Sequence, residues 1–101
     1  MQTITGQLKY GLSLNGETHK DFELREATAA DLFAAEDEVS TDSPLKFNAA
    51  LLCRQITRLG TFDAPITVSL LGKLKVTDFN ILRTKQLELE KLGEAGAGGT
   101  E

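Results

Sequence analysis

The chain has 101 residues, 41% of them apolar, and a formal net charge of −4. That length supports one domain with one modest core, and the acidic balance disfavours nucleic acid as the main partner. There is no run of roughly eighteen apolar residues to span a membrane and no basic-then-apolar signal-peptide pattern at the N-terminus, while the lone Cys53 fits a reducing cytosol.

Residues 3–25 read as a β-hairpin. Leu8, Tyr10 and Leu12 share one face of the first strand, and Phe22 and Leu24 share one face of the second. A two-residue Asn15-Gly16 turn pairs Leu14 with Glu17, which sets Leu8 against Glu23 and splits the apolar residues between faces. A three-residue loop, Leu14-Asn15-Gly16, pairs Ser13 with Glu17 and Leu8 with Phe22. The three-residue loop is therefore expected, with Leu24 beside Gly6 and the polar residues Lys9, Asp21 and Glu23 on the far face. A lone hairpin is marginal in water, so helices must cover its apolar side.

A short helix over about 29–39 follows, with Thr28 as N-cap and Asp31 in its first turn, close to a capping box. Ser40–Pro44 has turn chemistry, and Ser43 and Pro44 suit the cap and first position of the next helix. That helix is expected over 44–59, with Leu45, Ala49, Leu52, Cys53, Ile56 and Leu59 on one stripe and Gly60 ending it. Its opposite side carries Phe47, Leu51, Arg54 and Arg58. Either these pack on the hairpin or the last helix, or they form a partner-binding patch, since aromatic anchors with arginine are typical of interface centres.

Residues 61–66 make a connector. Thr67 can cap a short helix over 68–74, and Thr77 a last helix over 78–92 that stops at Gly93. Phe79, Leu82, Gln86 and Leu89 face one way on it, with Ile81 and Leu92 widening the stripe and Leu87 outside it. Residues 93–101 are low in complexity and are expected to be disordered. The expected whole is an α+β domain over 1–92, an N-terminal antiparallel hairpin packed on three to four short helices.

Chemistry is sparse. His19, the only histidine, is expected at the surface beside the turn, and Cys53 reads as a small buried hydrophobe. Zinc spacing, a calcium loop and a phosphate-binding glycine loop are all missing from the sequence, so no catalytic residue, cofactor or metal is expected. Charge is segregated: residues 27–44 hold five acids and no base, whereas 45–76 hold five bases against Asp63. Solvated faces account for this, and so does docking between copies or onto a partner; homo-oligomers are permitted.

Leu24-Arg25-Glu26-Ala27-Thr28-Ala29-Ala30-Asp31-Leu32, followed late in the chain by Asp78-Phe79, resembles the small tail assembly chaperones of Mu-like and related contractile-tailed phages. Their strand commonly ends in Leu-Arg-Glu-Pro/Ala-Thr-x-x-Asp-Leu, and an Asp-aromatic pair opens their last helix. The resemblance covers residues 4–92 and is weakest over 60–76, where Ala64-Pro65-Ile66 is a loose counterpart of a Leu-Pro turn. It implies a non-enzymatic protein that binds the tape measure protein in the host cytoplasm, keeps it soluble, and is not kept in the mature virion. In several such families a frameshifted, longer form recruits tail tube protein, and the protein sequence leaves open whether this chain has one. The family supplies no residue-level binding map, so the candidates come from helical spacing: Phe47, Leu51, Arg54 and Arg58, with Leu87 and Leu92 as lesser ones. Other readings are a structural tail or head–tail joining protein, or a small nucleic-acid-binding regulator.

Overall fold

The computed structural model describes residues 2–40 and 42–98. Strands β1 (Thr3–Leu14) and β2 (Glu17–Arg25) form the hairpin, followed by α1 (Ala29–Glu38), α2 (Pro44–Gln55), β3 (Ile56–Leu59), α3 (Val68–Leu71) and α4 (Val76–Gly98). The architecture is α+β: an antiparallel sheet of order β1-β2-β3 with α2 and α4 packed on it, α1 on α2, and α3 on α2. Phe22, Leu24, Leu8, Leu12 and Leu59 from the sheet meet Leu52, Leu71, Leu82 and Leu89 from the helices in one core. The far face of the sheet is polar, with Gln7 donating to Asp21 (2.6 Å) and the Thr57 hydroxyl to Glu23 (2.7 Å).

The hairpin register corrects the expected one. Leu14 pairs with Glu17, so the loop has two residues, and Asn15 (φ 52°) and Gly16 (φ 81°) both adopt the left-handed conformation of a tight hairpin turn. The conflict over the apolar faces is resolved within β1. Its register shifts between Gln7 and Leu12: four residues, Leu8–Gly11, lie opposite the single Lys20. This bulge lets Leu8 and Leu12 both reach the core, and Phe22 pairs with Gly6, not Leu8. Gly11 has φ 84°, and a Cβ there would lie 2.7–2.9 Å from Thr18, Lys20 and the His19 carbonyl oxygen.

Bulged amides need partners, and the first turn of α4 supplies them. The Asp78 carboxylate, fully buried, accepts from the backbone N–H of Lys9 (2.7 Å), Tyr10 (3.2 Å) and Gly11 (3.0 Å). The last helix thus begins at Val76, with the Phe79 amide bonded to the Lys75 carbonyl (3.0 Å), and Thr77 lies inside the helix instead of capping it. Nor does the helix stop at Gly93, where a Cβ would sit 2.8 Å from Glu26 Oε1; that glycine permits a close approach. The expected tail over 93–101 is therefore helical to Gly98, and residues 99–101 lie outside the described residues.

The helix expected over 44–59 ends at Gln55, and Ile56–Leu59 pairs with β2 instead. Its spacing fits a helix, but Ile56 and Thr57 are β-branched, and the open edge of β2 offers backbone partners that another helical turn would leave unused. The third helix is likewise shorter than expected, ending at Leu71. At the other cap, Ser43 makes no side-chain hydrogen bond, although Pro44 does open α2. His19 is buried, contrary to expectation: Gly60 and Phe62, just beyond β3, close over it, and its Nδ1 accepts from the Thr61 amide (3.3 Å).

A groove between three helices

The Leu24–Leu32 segment ties the helices together. Leu24 is fully buried, and Thr28 and Asp31 form a reciprocal capping box at the start of α1. Asp31 also receives a bidentate pair from Arg25 (2.7 and 2.9 Å) and a third contact from Arg54 Nε on α2 (3.0 Å). The Arg25 hydrogen bonds, helped by the Thr28 amide and Arg54, hold the Asp31 carboxyl well below the usual carboxylate range despite its burial. The same bonds raise Arg25. From there the network continues to α4: Gln55 Nε2 donates to the Arg25 carbonyl (3.0 Å), and Gln86 Nε2 to Gln55 Oε1 (2.7 Å). The planar, charge-assisted Arg25 and Arg54 pairs set the orientation of α1 on α2, and the neutral Gln55–Gln86 bond ties α4 to the same network.

Between those helices opens a groove of about 510 Å³. Leu32 of α1, Leu51 of α2 and Leu87 of α4 stand around it, with Leu89, Gln55 and Gln86 also contributing to its lining. Leu87 is 57% and Leu32 41% exposed, large values for leucine beside an apolar depression. The reason lies in α1 itself. Its buried side chains are Asp31 and Ala35, one turn apart, and this leaves Leu32 and the neighbouring Phe33, 63% exposed, off the packed face.

The six residues expected to contact a partner are divided. Leu51 and Leu87 meet at the groove. Arg54 and Arg58 line a separate cleft of about 550 Å³, bounded by Cys53, Thr57 and Asp63. Phe47 and Leu92 border neither. The expected patch breaks up because Arg58 sits on β3, opposite Glu23, so helical spacing from Phe47 does not reach it. Leu32 was missed because α1 turns its acid inward, although its place at the end of the Leu24–Leu32 motif was a signal. At the far end of α4 is another exposed spot, where the Lys9 and Lys75 ammonium groups lie 5.3 and 5.0 Å from the Tyr10 ring, near Val76.

Burial pushes the Cys53 thiol up to about 11, so it stays protonated at neutral pH. Among the described residues, no group of three or more His, Cys, Asp or Glu side chains is placed to hold a metal ion, and no helix is long and apolar enough to cross a membrane.

The model of the family described as tail assembly protein gp41 matches residues 8–98. The probable tail assembly protein gp41 of Escherichia phage Mu is 33% identical over 86 residues, covering 74% of this chain and 60% of that protein. The probable tail assembly protein FS-gp41 of the same phage matches at 33% over 86 residues, 74% of this chain and 46% of its own length. The chain thus spans about half the length of the curated relatives it matches. No solved structure matches it. With nine-tenths of its length under one family model, the chain belongs to the gp41 tail assembly protein family of Mu-like phages.

Proposed function

We propose that this protein is a non-enzymatic tail assembly chaperone that holds helical, apolar segments of the tape measure protein in the α1/α2/α4 groove. The observation that carries the reading is the trio Leu32, Leu51 and Leu87 around a groove whose walls are fixed by the Asp31 network. An amphipathic helix laid into such a groove buries its apolar stripe. Fully taking a leucine from water contributes about 1.5–3 kcal/mol. Leu32 and Leu87 have only about half of their surface left to bury, so with the cost of association the groove supports a weak, reversible complex. Reversibility suits a chaperone, which must release its client when tube subunits assemble around it. The task requires no catalytic group, and it places the protein in the host cytoplasm before the tail is complete.

Co-expression with tape measure fragments tests this. The wild-type chain should keep the fragments in the soluble fraction. Leu32→Ser/Leu87→Ser, at two exposed positions, should fold normally by circular dichroism yet leave them in the pellet. Equal solubility with both proteins would overturn the reading.

A further inference from the structure

The groove combines the leucines with the neutral polar side chains of Thr28, Asn48, Gln55 and Gln86, and it also carries charge. Among the described residues, its ionisable lining is Glu26, between β2 and α1, and Glu90, on α4; both are acids. Glu26 Oε1 lies against Gly93, and Glu90 is three residues before that glycine, about one helical turn away. Neither carboxylate is ion-paired among the described residues. Arg25 and Arg54 are bonded to Asp31, Lys85 pairs with Glu88 (3.2 Å), and Lys91 follows Glu90 without lining the groove.

Resting on the proposed client site, we propose that the groove selects helical segments whose apolar stripe is followed, about one turn on, by lysine or arginine. The leucines bind any amphipathic helix of suitable size, whereas the two carboxylates distinguish between them. A cation set between Glu26 and Glu90 gains two attractive contacts at the groove rim, while an acid there meets two like charges. Electrostatics of this kind set specificity more than bulk affinity. The charge at one end also orients the client, since a helix laid in reverse brings its basic residue to the wrong end.

The test uses two synthetic helical peptides with the same leucine stripe, one flanked by lysine and one by glutamate. Binding to the full chain is read by fluorescence anisotropy at low and high salt. The lysine peptide should bind roughly ten-fold more tightly at low salt, with a preference that shrinks as salt rises. Glu26→Gln/Glu90→Gln should bring the two peptides within about two-fold of each other, and Leu32→Ser/Leu87→Ser should weaken both. Equal binding of both peptides by the wild type, with both lost in the leucine variant, would overturn charge selection while leaving the client groove standing. A preference that survives Glu26→Gln/Glu90→Gln would also overturn it. Peptide binding untouched by the leucine variant would overturn the groove itself. A wild-type dimer that binds neither peptide, and that dissociates in the leucine variant, would assign the groove to a second copy and overturn the proposal.

Discussion

Replacing Asp78 with alanine should detach the start of α4 from the bulge in β1. The carboxylate accepts from three successive backbone amides at 2.7–3.2 Å and is fully buried. Hydrogen bonds to a charged group contribute about 1.5–3 kcal/mol each, so three would sum to about 5–9 kcal/mol if they were independent. They are not independent, because they share one carboxylate whose desolvation opposes them. Lys9 and Tyr10 are exposed, so water can replace part of what is lost. A net loss of about 3–4 kcal/mol is expected, a large fraction of the ~5–15 kcal/mol that holds a domain folded. At ~4–8 °C per kcal/mol for a domain of this size, Tm should fall by roughly 12–30 °C. Asp78→Asn, which keeps one acceptor oxygen, should fall between that variant and the wild type. Thermal unfolding by circular dichroism measures the shift, and hydrogen exchange should show the Lys9, Tyr10 and Gly11 amides losing protection first. A Tm change below about 4 °C would refute the reasoning, since the amides would then have other partners.

Gly11→Ala should destabilise the fold by about 1–3 kcal/mol through left-handed strain and crowding against Thr18 and the His19 carbonyl, read as a lower urea midpoint. The depressed Asp31 carboxyl gives stability that is complete above its unfolded pKa of about 3.9 and is lost as pH falls towards the lower folded value. Asp31→Asn should therefore be less stable at pH 7, by about 2–4 kcal/mol, and its unfolding free energy should fall less steeply below pH 4 in urea titrations at stepped pH. Leu51→Glu should abolish capture of tape measure fragments, whereas Arg58→Ala, in the other cleft, should leave it within about two-fold in a pull-down. Purified virions should lack the protein, which mass spectrometry of the particles would check.

Much of the fold is legible locally. The Asn15-Gly16 turn, Thr28 with Asp31, and Pro44 each act through neighbours within a few residues, so their chemistry can be read along the chain. The hairpin register cannot be read this way. Its apolar faces conflict until a bulge is inserted, and that bulge is held by Asp78, 67–69 residues away. Ile56–Leu59 was hidden for a similar reason: a helical spacing yields to a strand only because the edge of β2 lies beside it. The candidate site was legible in part. Leu51 and Leu87 could be picked out as apolar residues outside the core stripes, but joining them required the fold. Leu32 remained hidden because an acid, Asp31, takes the inward position on α1, and this becomes favourable only once Arg25 and Arg54 converge on it.

The most direct test of the groove is an NMR titration of the isotopically labelled chain with a tape measure fragment. Amide shifts should cluster at Leu32, Leu51, Leu87 and Glu90, around the α1/α2/α4 groove. Shifts confined to Lys9, Tyr10 and Lys75, at the opposite end of α4, would contradict the account.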